Sequence, residues 1–167
     1  QRPLVIKYLK DKGFAGNDID IKALQGYDVY NINSNGMTTN QVIAYDATQR
    51  ISVKSKDVQK IKTVSNEIKD LIQQGIDIGV EEPSYFYSKL PDLKVKMLEE
   101  ATKDAKQRAS AMLKATHNRV GKIQSVNMGV FQITPVDSTN VSDSGISDTT
   151  SIEKKITSVA NVTFRVK

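Results

Sequence analysis

The chain has 167 residues and a net charge of +5, enough length for one domain with a buried core and enough charge for a basic surface. It contains no cysteine, which excludes thiol catalysis, disulfides and thiolate metal sites. With 38% apolar residues and no apolar run near the roughly 20 residues of a membrane span, it reads as a soluble protein on the polar side.

Residues 3–13 (PLVIKYLKDKG) predict the end of a helix. Leu4, Val5, Tyr8 and Leu9 share a face, and Gly13 suits the C-terminal stop. Residues 18–31 predict a strand, with Ile19, Ile21 and Ala23 alternating before Tyr27 and Val29; Ser34-Asn35-Gly36 marks a turn. Residues 41–54 predict the clearest early strand. Ile43, Tyr45, Ala47, Ile51 and Val53 fall on one face, and the other is mostly polar, as in an antiparallel sheet covered on one side.

Residues 55–74 predict a helix through Val58, Ile61, Ile68, Leu71 and Ile72, capped by Ser55 or Asp57 and ended by Gly75. Ile76, Ile78 and Val80 predict a further strand, broken at Glu82-Pro83 and resumed at Tyr85-Phe86-Tyr87. A weak internal echo runs through this half. Gly13 and Gly75 each follow a helix, Ile19-Asp20-Ile21 and Ile76-Asp77-Ile78 follow the glycines, and tyrosine-rich segments follow those.

Residues 90–118 predict the longest helix, with Pro91 in its first turn. Its apolar stripe, Leu93, Met97, Ala101, Ala105, Ala109, Met112 and Thr116, is rich in alanine and calls for close packing on a sheet. Residues 122–134 and 151–167 predict two strands. In the second, Ile152, Ile156, Ala160, Val162, Phe164 and Val166 face inward. Between them, residues 137–150 are mostly Ser, Thr, Asp, Asn and Gly, and predict the long tip of a β-hairpin whose deletion over 140–148 leaves the fold intact. The class expected is α+β: one domain over residues 1–167, a largely antiparallel sheet, helices mainly on one face.

Few residues offer chemistry. His117, the only histidine, sits near the end of the long helix with no ligand-spaced partner, which reads as a surface histidine favoured by the helix C-terminus. Gly13-Phe14-Ala15-Gly16 lacks the Lys-Ser/Thr of a phosphate loop. Glu81-Glu82 alternate across a strand and read as an edge device. Asp137, Asp143 and Asp148 are too widely spaced for an EF-hand. The triplets at Asn140 and Asn161 match the glycosylation pattern but arise by chance in such composition. Tyr85-Phe86-Tyr87 lacks an RNA-binding signature around it. Residues 137–150 hold three Asp and no Lys or Arg, so the rest of the chain carries +8. Its lysines are read as spread among acids over a solvated surface. No catalytic residue, metal ligand, cofactor site or nucleic-acid partner is therefore expected.

The order of elements resembles the SIMPL domain family of bacterial envelope proteins. The likeness rests on Leu9 to Gly13 with Asp18-Ile19, Tyr45 to Val53, Val58 with Ile61, Leu71 with Gly75-Ile76, Ala101 and Ala105 with Arg108-Ala109, Gly121, and Phe131-Gln132-Ile133-Thr134-Pro135. The resemblance implies a first strand and helix start ahead of Gln1, export to the periplasm or envelope, and no established catalytic residues. It also implies ring- or channel-like oligomers in some members and a link to oxidative-stress resistance in others. The expectation is a non-enzymatic envelope protein acting by self-assembly or partner binding. The alternatives are a hydrolase with a loop-built site and a nucleic-acid binder with a basic surface.

Overall fold

The structure, a computed structural model, describes residues 1–167 and divides into two compact units, Gln1–Glu81 and Glu82–Lys167. The class is α+β. The strands form four small sheets rather than one, antiparallel except for a single parallel pair.

In the first unit, helix α1 (Arg2–Asp11) leads through a 3₁₀ turn (Gly16–Asp18) into β1 (Ile19–Ile21). Strands β2 (Gln25–Ile32) and β3 (Thr38–Thr48) form a hairpin, and β4 (Ile51–Val53) pairs back onto β1. Helix α2 (Val58–Glu67) comes next, capped by the Asp57 carboxylate, which accepts from the Lys60 N–H at 3.0 Å. After a break at Ile68-Lys69 comes the short helix α3 (Asp70–Gln73). The core is where the helical faces meet: Val5, Leu9, Phe14, Val64, Leu71 and Ile76 are buried, with Ile19, Ile51, Val53, Ile61, Ile68 and Ile78 packed around them.

Two helix ends show why the glycine punctuation of the sequence works. At α1 the Phe14 N–H reaches the Leu9 carbonyl at 3.1 Å and the Gly13 N–H the Lys10 carbonyl at 2.8 Å. At α3 the Ile76 N–H reaches Leu71 at 3.1 Å and the Gly75 N–H reaches Ile72 at 3.0 Å. Both are Schellman motifs with glycine in the left-handed conformation. In each, the residue after the glycine and the residue five before it are both buried in the core. The internal echo is therefore a repeated helix cap with its hydrophobic contact.

Two expectations fail in this region. Residues 76–80 and 85–87 form no strand. Ile76 and Ile78 still pack on the core, but Gly79 weakens an extended segment and Pro83 lacks the N–H a ladder needs. The face predicted to be covered is covered only in part. Ile51 and Val53 reach the core, whereas Ile43 is 58% and Tyr45 80% exposed.

In the second unit, the 25-residue helix α4 (Leu90–Lys114) lies against β5 (Val120–Met128) and β9 (Ala160–Val166), which pair antiparallel. The predicted stripe holds through Leu93, Met97, Ala101, Ala105 and Ala109. It ends before Met112 and Thr116, which are exposed, and no α4 residue is fully buried. Along β9, Ala160, Val162 and Phe164 alternate inward as expected, while Val166 is exposed. Strand β6 (Gln132–Pro135) pairs antiparallel with β8 (Lys154–Thr157) and parallel with β7 (Ile146–Ser147). The last predicted strand is thus two strands, parted at Ser158-Val159.

Candidate functional site

The polar run differs most from its sequence reading. Residues 137–150 are not a free tip, because β7 lies inside them and adds a strand to β6. The buried Gln132 side chain acts like a strand neighbour: its amide donates to the Ser142 carbonyl at 2.7 Å and its oxygen accepts from the Ser142 N–H at 3.3 Å. Gly145 turns the chain with φ +85° beside the Phe131 carbonyl. The Asp148 N–H then donates to the Ile133 carbonyl at 2.9 Å.

The Asp148 carboxylate organises the turn that leads from β7 to β8. It accepts from the Thr150 N–H at 3.0 Å, the Thr150 hydroxyl at 2.9 Å, the Ser151 N–H and the Lys154 ammonium at 3.1 Å. Burial opposes its charge, but the bonds from Thr150, Lys154 and Ser151 outweigh burial and hold the carboxyl well below the usual carboxylate range. Lys154 takes an inward position between Ile152 and Ile156, where the period of the strand alone gives no reason for a lysine. An inward lysine needs an acid partner, and that was the available signal.

The other residues singled out remain apart. His117 has φ +59° and occupies the left-handed position of a third Schellman cap: its N–H reaches the Lys114 carbonyl at 3.3 Å and the Asn118 N–H reaches Leu113 at 3.1 Å. It stands where the other two caps have glycine. Around it opens a cleft of about 480 Å³ lined by Lys106, Ser110, Lys114, Asn118, Arg119 and Val120. Ser110 and His117 share no hydrogen bond, and no carboxylate lines the cleft to orient the imidazole. Lys114, in the last turn, complements the negative end of the α4 dipole. Glu81 pairs with Arg50 at 2.8 Å on the surface. Tyr85 is buried and its N–H donates to the Thr149 carbonyl at 2.7 Å, whereas Phe86 and Tyr87 are exposed. No group of three or more His, Asp or Glu side chains is placed to hold a metal ion. No helix is long and apolar enough to cross a membrane.

The least explained surface is the β2–β3 hairpin. No helix of the same unit packs extensively on it, and Tyr27, Val29, Tyr30, Ile32, Met37, Val42, Ile43 and Tyr45 are all exposed. Residues 23–49, which contain it, include no Lys, Arg or Pro, contrary to the expectation of lysines spread among acids over the surface.

Comparison with known proteins agrees with the resemblance read from the sequence. The family described as SIMPL, protein of unknown function (DUF541), matches residues 4–165, a span that runs through both units. No curated protein matches the chain. The chain belongs to the SIMPL family, whose function is unknown.

Proposed function

We propose that this protein is non-catalytic and acts in the bacterial envelope by assembling with copies of itself. The observation that supports this is surface area. The chain exposes 12782 Å². A folded monomer of 18.5 kDa exposes about 8,200 Å² by the scaling for globular proteins. Two folded units of half that mass with no contact between them would expose about 9,900 Å². The chain exceeds even that by about 2,900 Å². Obligate interfaces bury about 2,000–5,000 Å² over both partners, or about 1,000–2,500 Å² per chain, so the excess is on the scale of one to three such contacts per chain.

Location in the envelope and a part in resisting oxidative stress rest on the family resemblance, and a cysteine-free chain suits an oxidising compartment. The test is solution mass by light scattering over a concentration series. Discrete particles of several copies support the proposal. A mass of 18.5 kDa at every concentration and salt overturns it.

A further inference from the structure

We infer that the cleft at the C-terminal end of α4 is a binding site for a phosphorylated ligand, in which Lys106, Lys114 and Arg119 hold a phosphate group. The site lies wholly within the second unit, and its ligand does not depend on how copies of the chain assemble.

The first observation is a segregation of charge along the sequence. Residues 105–136 contain no Asp or Glu and five basic residues, Lys106, Arg108, Lys114, Arg119 and Lys122. The rest of the chain holds nineteen Lys and Arg against nineteen Asp and Glu, so this one stretch accounts for the whole net charge of +5. Elsewhere the cations stand among acids, as expected; here they do not.

The fold then gathers three of these cations. Lys106, Ser110 and Lys114 follow at intervals of four residues and lie along one face of α4. His117, in the left-handed conformation, stops the helix, and the chain returns along that face through Arg119 into β5. Ser110 and Val120 are half-buried, and the three cations stand exposed around the cleft of about 480 Å³. None of the three enters any of the six ion pairs of the chain, whereas the neighbouring Arg108 is held by Asp104 at 2.8 Å. The helix dipole accounts for one cation only, because its field falls off within the last turn. Lys114 lies in that turn, Lys106 lies two turns earlier and Arg119 lies beyond the cap. The strained cap gains a reason too: His117 adds an imidazole to the lining where the other two caps have glycine.

Lysine and arginine offer donors and no acceptor. Three of them without an acid call for a ligand rich in acceptor oxygens and carrying more than one negative charge. A phosphate monoester has three terminal oxygens and close to two charges near neutral pH. The arginine fork pairs with it bidentately and the lysines act as point charges. A carboxylate has two oxygens and one charge, which leaves cations unmatched. The volume falls in the range of about 300–1,000 Å³ for small-molecule sites and leaves room for the organic part of an ester. A soluble phosphate ester and the headgroup of phosphatidic acid, a phosphomonoester lipid, share this chemistry.

The test uses the full chain. Amide shifts are followed by NMR as glycerol 3-phosphate is added, and sedimentation with phosphatidylcholine vesicles is measured with and without phosphatidic acid. Expected is saturable binding of at least one phosphomonoester, with shift changes for the soluble probe centred on residues 106–120. Saturation by glycerol 3-phosphate without sedimentation means a soluble ester; sedimentation that requires phosphatidic acid means a lipid headgroup. Lys106→Gln with Arg119→Gln should weaken binding at least about tenfold. Lys56→Gln with Lys62→Gln removes the same charge from exposed positions of the first unit and should change binding less than about twofold. Failure of both phosphomonoesters to bind, or equal weakening by the two double variants, overturns the inference. Binding of a single-stranded DNA oligonucleotide but of neither phosphomonoester overturns it as well, in favour of a nucleic-acid surface. Circular dichroism checks that the variants fold. If the cleft double variant does not, Lys106→Gln alone, at an exposed helix position, decides, with an expected weakening of about threefold.

Discussion

Lys154 donates to Asp148 at 3.1 Å with the two side chains only 9% and 8% exposed. The other five ion pairs of the chain lie on open surface, where such pairs contribute little. A buried pair behaves differently, because removing one partner strands the other charge away from water. Asp148→Ala should therefore lower the thermal midpoint of unfolding clearly, and Lys103→Ala, which removes an exposed pair on α4, should leave it nearly unchanged. Differential scanning fluorimetry of both variants checks this, and equal midpoints would remove the structural role given to Asp148.

The same carboxylate predicts a pH dependence. Its folded-state pKa is depressed below the unfolded value of about 3.9. A depressed acid contributes stability that is fully present above the unfolded pKa and is lost as pH falls toward the folded one. Stability should decline as pH drops below about 4, in part through this group. Asp148→Asn should be less stable near pH 7 and show a shallower decline in acid. Urea denaturation at pH 7, 4 and 3 measures both; parallel acid slopes for the two proteins would contradict the assignment.

Deleting residues 140–148 should destabilise the second unit, the reverse of what the composition of the loop alone predicts. The deletion removes β7, the Ser142 partner of Gln132 and Asp148 itself. Loss of a cooperative thermal transition, or a fall of several degrees in its midpoint, is the expected result.

Three helix caps share one geometry but differ in the residue at the left-handed position. Gly13 and Gly75 tolerate positive φ; His117 at φ +59° carries a Cβ there. His117→Gly should stabilise the fold by roughly 0.5–1 kcal/mol, and Gly75→Ala should cost about 1–2 kcal/mol. Chemical denaturation resolves both. A destabilised His117→Gly variant would point to side-chain contacts of the imidazole that outweigh its backbone strain.

The fold was legible where chemistry is local. Gly13 and Gly75 marked helix ends because only a residue without Cβ takes positive φ freely, and Pro91 marked a helix start because its missing N–H is not needed there. The alternation in residues 160–164 and the alanine stripe of α4 were likewise set by period. What could not be read depends on partners distant in sequence. The polar composition of residues 137–150 conceals β7, because a two-residue strand paired through Gln132 leaves no periodic signal. The apolar face of β3 is legible as a face, but the period of a strand does not say what covers it. Ile43 and Tyr45 are exposed, so the chain itself does not cover that face. No constellation for catalysis was visible in the sequence, and the one cleft with a histidine gathers basic side chains without an acid or a bonded nucleophile.

The most direct test of the proposed self-assembly is solution mass by light scattering over a concentration series. The account predicts discrete particles of more than one copy whose share rises with concentration. A mass of 18.5 kDa at every concentration and salt would contradict it.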